Sequence, residues 1–394
     1  MATQLKKTTK QVKRMIIYFL VFVIVVLFID WLSKQSGVIV GPDPGNEYDP
    51  NYPTANNIFQ QIPKPDLNSL NSGSQNIGLI SKTTAKFPEF PPVIYVYKIK
   101  PEREYLDDAE KGKATATALG FSGDYSVLNN VMNWESEDGT KTFTFDRFQK
   151  YYKYKSSPDQ LIEMTNSDQT FAIQRALSIL DRLSIKKNNL DTESSRIDFA
   201  FRANDGSLTS KTDKYNCVKV SLNKYIKAIE PVTNSIPDTF IDTRKYSYYD
   251  GIATLVLKEY ANKTQDMLQD LIELEYKALE YEEDVGIYKL QTPDQAFQEL
   301  QKNNGYLYRL HLVGDNYLTQ QQQLQIAEYK VDPNLTKLIY IEPQTRDPQV
   351  LWTNFLQPFY LFEGTGRTTN TNKDAAFSFL VPALVSSAYT SSTP

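Results

Sequence analysis

The chain holds one histidine and one cysteine in 394 residues, so acid–base and thiol chemistry each have a single candidate. His311 sits in GYLYRLHLVGD with apolar residues at alternate positions. That setting suits a sheet histidine whose ring is hydrogen-bonded better than a general base. Cys217, in YNCVKV, reads as a small apolar residue on a strand, and free cysteines of that kind are buried and inert. A disulfide needs a second cysteine, and a structural zinc site needs more Cys and His ligands than the chain holds.

Ser-x-x-Lys is the signature of Ser/Lys acyl transferases that act on cell walls. The spacing occurs at Ser184–Lys187 and Ser221–Lys224. The accompanying Ser-Asp-Asn and Lys-Thr-Gly motifs are absent, and Ser221 falls inside a strand pattern rather than at a helix start; chance accounts for both. Residues 363–373 (EGTGRTTNTNK) have the glycines of a phosphate loop but lack Gly-Lys-Ser/Thr. They join two strand-like runs, so no helix N-terminus faces an anion there, and they read as a hairpin loop. Acids gather from Asp270 to Asp284 around Lys277, without the D-x-D-x-D-G spacing of a calcium loop. They read as a solvated edge that discourages strand pairing. No pair of carboxylates stands out for glycoside hydrolysis. The aromatic stretch Trp352, Phe355, Phe359, Tyr360 and Phe362 has two readings. Alternation sends one face into the core, whereas Trp352, Phe359 and Tyr360 are the residues that would form an exposed surface for peptide or glycan. The chain is therefore expected to be non-enzymatic, with no cofactor and no metal.

The elements that must position these residues follow from composition and pattern. Aromatics make up 12% of the chain, including 26 tyrosines, against only 16 glycines, which points to β-rich globular structure. Residues 1–14 carry Lys6, Lys7, Lys10, Lys13 and Arg14 and no acid; the remainder has 38 bases against 47 acids, which argues against a nucleic-acid partner. Residues 15–29 (MIIYFLVFVIVVLFI) are unbroken apolar sequence, and Trp31 and Leu32 extend the run past Asp30. Such a run spans roughly 27 Å as a helix, close to the hydrocarbon thickness of a bilayer. Asp30 and Trp31 would lie at its far boundary, and the basic tail would stay in the cytoplasm.

The expected organisation is a cytoplasmic tail (1–14), a transmembrane helix (15–32), a Pro-rich tether (33–92), and two α+β lobes at 93–230 and 231–394. Within the lobes, short helices alternate with hairpins built on Asp138-Gly139, Asp205-Gly206 and Asp250-Gly251. Three strands, in LTKLIYIEP, LQPFYLFEG and AAFSFLVPAL, close a sheet. The fold class is α+β, in tandem units of a short helix plus an antiparallel hairpin.

That helix-then-hairpin repeat resembles the PepSY-like module. With the basic start, the span, the tether, LQPFYLFEG and FLVPAL, the layout resembles the YycH/YycI-type extracytoplasmic regulators and other single-span envelope proteins of bacteria. The resemblance implies a non-enzymatic ectodomain and a span that contacts the membrane part of a sensor kinase. The function expected on this basis is a membrane-anchored envelope protein, extracytoplasmic apart from its tail. It would bind a protein partner and regulate or scaffold a membrane complex, with Asp30 and Trp31 as the contact in the bilayer. The alternatives are a wall- or surface-associated adaptor and an envelope hydrolase, and homo-oligomerisation is left open.

Overall fold

Strands rich in alternating β-branched and aromatic residues bury one face only against further layers, and strand is the commonest regular structure among the described residues. The computed structural model describes residues 51–67, 77–80, 86–157, 161, 169–185, 190–210, 214–229, 240–245, 251–258, 267–277, 279–314, 324–343, 349–369 and 373–390. All of these fall in one compact unit, residues 50–394.

Among the described residues the strands are β1 (Ile77–Leu79), β2 (Val93–Ile99), β3 (Ser126–Leu128), β4 (Val131–Glu135), β5 (Lys141–Asp146), β6 (Tyr151–Ser156), β7 (Leu190–Arg202), β8 (Leu208–Ser210) and β9 (Cys217–Lys227). They continue as β10 (Phe240–Lys245), β11 (Ala253–Lys258), β12 (Leu271–Tyr276), β13 (Tyr281–Lys289), β14 (Tyr306–Leu312), β15 (Ile326–Val331), β16 (Lys337–Glu342), β17 (Phe355–Thr368) and β18 (Asp374–Pro382). The α-helices are α1 (Asp108–Ala118), α2 (Gln169–Arg182) and α3 (Pro293–Gln301).

Two runs of antiparallel pairing make up an open, irregular sheet. The first is β3–β4–β5–β6–β12–β11–β9–β7. The second is β14–β18–β17–β16, with β15 beside the far half of β17. Strand β10 joins the two, lying antiparallel to β9 and parallel to β16. Strand β2 pairs with β13 and with the first residues of β17. The sheet thus continues across residue 230.

Helix α3 starts where a capping box dictates. The Thr292 hydroxyl accepts from the Gln295 amide (3.2 Å), the Gln295 side chain accepts from the Thr292 amide (2.8 Å), and Pro293 opens the first turn. Its apolar face (Ala296, Phe297, Leu300) packs with Phe362, Phe377 and Tyr340. Helix α2 buries Ala176, Ile179 and Leu180 with Val218, Leu255 and Phe143. A third cluster (Ile339, Ile341, Phe359, Leu361, Leu380) covers the other face of β16–β18.

The α+β class holds, but the expected N-terminal transmembrane helix and the tandem helix-plus-hairpin units need correction. The expected span, residues 15–32, lies outside the described residues, as do the basic tail and residues 33–50. Among the described residues no helix is long and apolar enough to cross a membrane. The N-terminal transmembrane helix is therefore set aside as part of the fold. The single-pass topology, the bilayer and membrane partners, the cytoplasmic and extracytoplasmic placement and the regulatory role all rested on it and go with it. The helix-plus-hairpin units are not separable modules either. Hairpins do form at Asp138-Gly139 and Asp205-Gly206, where Gly139 and Gly206 adopt φ of 69° and 84°. The first arm of the third, residues 246–250, lies outside the described residues, and its second arm, β11, is paired with β9 and β12. Gly251 lies so close to β9 that a Cβ would sit 2.5 Å from the Leu222 carbonyl oxygen.

Stretches of the proline-rich segment are laid on the sheet. Ile62 is fully buried, its amide donating to the Ala388 carbonyl (2.9 Å) and its carbonyl accepting from Thr390. Strand β1 adds in parallel to β15, and Phe87 and Phe90 pack on Phe362 and Tyr360. Ile62→Ala is expected to cost about 2–5 kcal/mol, read from the denaturant midpoint with an unchanged m-value; a cost near zero contradicts this packing.

Buried tyrosines make the fold sensitive to alkali. Burial pushes the Tyr281 and Tyr340 phenols well above their ordinary range. Burial first, and then the Asp108 charge, pushes Tyr152 up to about 12. The unfolded chain loses these protons near pH 10 while the folded chain keeps them, so above about pH 10 the unfolded state binds fewer protons. Stability is expected to hold through about pH 9 and to fall steadily above about pH 10, as read from denaturant midpoints across that range.

Candidate functional site

Side chains two apart on a strand share a face, and that rule assembles one charged cleft. On β7, Arg196 and Asp198 point the same way; Ser221 lies directly opposite Arg196 on β9, with Asn223 beyond it. Asp242 and Arg244 share a face of β10. From the second run, Arg309 on β14 and Glu363 on β17 both lie opposite Ser378 of β18, so the three form a row across the sheet. Of these, Arg196, Ser221, Asn223, Arg244, Arg309 and Glu363 line a cavity of about 500 Å³, together with Tyr308, Lys337, Ile80, Asp332 and Leu335.

The ion pairs within it are side-on or loose. Arg196 Nε donates to Asp198 (2.7 Å) and Arg244 Nε to Asp242 (2.6 Å). Glu363 lies 3.5 Å from both Arg309 and Lys337, and it accepts from the Ser378 hydroxyl (3.1 Å). The Nε contact to Asp242 leaves the end of the Arg244 fork free, and its terminal nitrogens make no hydrogen bond among the described residues. Burial opposes the Arg244 charge, but Asp242, Tyr308 and Glu363 outweigh it and raise its pKa, so the guanidinium stays charged. Ser221 is 4% exposed, and its hydroxyl has no hydrogen-bond partner among the described residues. A buried polar atom left unpaired is costly, and here it borders a cavity lined by cations. The arrangement can hold an anion: a guanidinium fork and a hydroxyl suit a carboxylate or phosphate oxygen.

Among the described residues no base or lysine meets the Ser221 hydroxyl. Lys224, three residues beyond Ser221, projects from the opposite face of β9. There its ammonium meets Glu342 (3.4 Å) and the Leu279 carbonyl (3.1 Å), so Ser221 and Lys224 form no dyad. His311 is buried on β14 opposite Ala376, and Cys217 is buried. Among the described residues no group of three or more His, Cys, Asp or Glu is arranged to hold a metal ion. Of the acidic stretch, Asp270 pairs with Arg175, Glu273 with Arg202 and Glu282 with Lys98. Residues 363–369 and 373 belong to the β17–β18 hairpin, closed by the Thr368 amide on the Lys373 carbonyl.

The expected binding surface does not form. Phe359 and Tyr360 are fully buried on opposite faces of β17, and the Tyr360 hydroxyl donates to the Gln291 carbonyl (2.7 Å). With sheet neighbours on both sides and clusters on both faces, neither ring reaches solvent. Trp352 is half-buried against the Ile339–Phe359 cluster. Asp30 and Trp31 lie outside the described residues. None of the cleft cations was singled out by motif. Their signal was local: RID (196–198) and DTR (242–244) each set an acid and an arginine two apart within a strand run. That spacing puts an ion pair on one face of a sheet.

No family model matches the chain, and no curated protein matches it. Among solved structures it is similar to an uncharacterized protein from Eubacterium rectale ATCC 33656, with 10% identity and a TM-score of 0.41, over 80% of this chain and 90% of that one. The resemblance to YycH/YycI-type and PepSY-like regulators is thus without support and is set aside. The two segments that carried it, LQPFYLFEG and FLVPAL, are buried sheet strands.

Because the Ser221 hydroxyl has no hydrogen bond to lose and is costly to leave unpaired, Ser221→Ala is expected to leave stability unchanged or to raise it. A loss above about 1.5 kcal/mol in a denaturant titration contradicts an unpaired hydroxyl.

Proposed function

We propose that the chain is a binding protein whose cleft takes a small anionic ligand, and that it binds without catalysing a reaction. One observation carries this reading: the free end of the Arg244 fork and the unpaired Ser221 hydroxyl border the same cavity. The cavity, at about 500 Å³, lies within the usual range of small-molecule sites, about 300–1,000 Å³. Its lining alternates in sign, since Glu363 and Asp332 stand among the cations. A polyphosphate or a nucleic acid would meet those carboxylates at a cost, whereas a single carboxylate or phosphate would not. Absence of turnover is proposed because, among the described residues, no general base meets the Ser221 hydroxyl, and nearby Lys224 faces away.

The test is calorimetric titration of the full chain with acetate, N-acetyl-leucine and inorganic phosphate, beside Arg244→Gln. Saturable one-site binding is expected for at least one of them, weakened about tenfold or more in Arg244→Gln, with both proteins giving the same far-ultraviolet spectrum. No binding by any probe, or equal affinity in the variant, overturns the reading.

A further inference from the structure

One rim of the cleft adds a second chemistry. Asp332 lines the cavity, and no ion pair engages it among the described residues. Its Oδ1 accepts from the Asn334 amide (3.0 Å), which fixes the carboxylate in place. Two apolar side chains flank it. The Ile80 amide donates to the Val331 carbonyl (3.0 Å), and the Leu335 amide to the Asp332 carbonyl (3.1 Å), so the backbone brings Ile80, Asp332 and Leu335 together. Ile80 is 50% exposed and Leu335 46%, and both line the same cavity. The cleft therefore has a cationic wall at Arg244 and Ser221, an uncompensated carboxylate at the rim, and exposed apolar surface beside that carboxylate.

We infer that the ligand is a zwitterion of the amino-acid or short-peptide class. Its carboxylate sits on Arg244 and Ser221, its ammonium on Asp332, and its apolar side chain on Ile80 and Leu335. This rests on the reading of the cleft as an anion site and goes further by naming the ligand class. A simple anion would satisfy Arg244 and leave Asp332 without a cation, and a simple amine would do the reverse. A molecule bearing both groups satisfies both walls, and its side chain removes the apolar rim from water. Arg244 favours a carboxylate because the free end of its fork matches two coplanar oxygens.

The experiment is calorimetric titration of the full chain with leucine, leucyl-leucine, N-acetyl-leucine, leucinamide and inorganic phosphate, repeated on Asp332→Asn. Asparagine keeps an oxygen for the Asn334 amide and removes only the charge. Leucine or leucyl-leucine is expected to bind about tenfold or more tightly than both N-acetyl-leucine, which lacks the cation, and leucinamide, which lacks the anion. In Asp332→Asn the advantage over N-acetyl-leucine disappears while N-acetyl-leucine binds as before. If N-acetyl-leucine or phosphate binds as tightly as leucine and Asp332→Asn changes nothing, the zwitterion is refuted and the anion site stands. If no probe binds, both fall together.

Discussion

A carboxylate buried where the two runs of the sheet meet is the interaction on which the cleft depends. Glu342 accepts from the Tyr281 hydroxyl (2.6 Å), the Leu279 amide (3.3 Å) and the Lys224 ammonium (3.4 Å). Lys224 donates in turn to the Leu279 carbonyl (3.1 Å). A buried charge is tolerated only when paired and hydrogen-bonded, so β9, β13 and β16 must meet in this one arrangement. Strand β10 fills the gap between β9 and β16, and Thr243, fully buried, pairs with Lys224 on one side and Tyr340 on the other. The Glu342 network thus sets where β10 lies, and β10 carries Arg244.

The two faces of this junction have opposite character, and strand alternation is the cause. Lys224, Tyr340 and Glu342 point to the face covered by α3 and the tyrosine cluster around Tyr97 and Tyr281. Ser221, Asn223 and Arg244 point to the other. Along β17 that second face reads Phe359, Leu361, Glu363, Thr365, apolar where the Ile339 cluster covers it and polar where the cleft opens. Gly364, between Glu363 and Thr365, lets β15 lie close against β17; a Cβ there would run into the Lys330 carbonyl oxygen. The cleft walls are therefore backbone-paired strands, which hold the guanidinium and hydroxyl in fixed positions without a ligand.

How much of this the sequence made legible depends on the range of the interaction. Local chemistry was legible. Asp138-Gly139 and Asp205-Gly206 demanded turns, Pro293 after Thr292 marked a helix start, and the alternation in LTKLIYIEP and LQPFYLFEG marked β16 and β17. Long-range pairing was not. Nothing near residue 240 says that β10 will run parallel to a strand about a hundred residues later. The proline-rich stretch shows the same limit: its spacing signals an extended chain, and nothing near it says that Ile62 and Leu67 are buried by strands from the far end of the sequence. The cleft fell between the two cases. Its acid–arginine pairs were visible in RID and DTR, but their convergence required the sheet order. The aromatic run at 352–362 drew attention as a surface, yet most of its rings build the core.

Hydrogen exchange of the β10 amides in the full chain tests the central claim, that β10 closes the seam and holds Arg244 in the cleft. The account predicts that the Asp242–Arg244 amides exchange as slowly as those of Val220–Leu222 in β9 and Ile339–Ile341 in β16, because strands in one cooperative sheet open together. Fast exchange across β10, with β9 and β16 still protected, would contradict it: the seam would be open, and the cleft would lack its cationic wall.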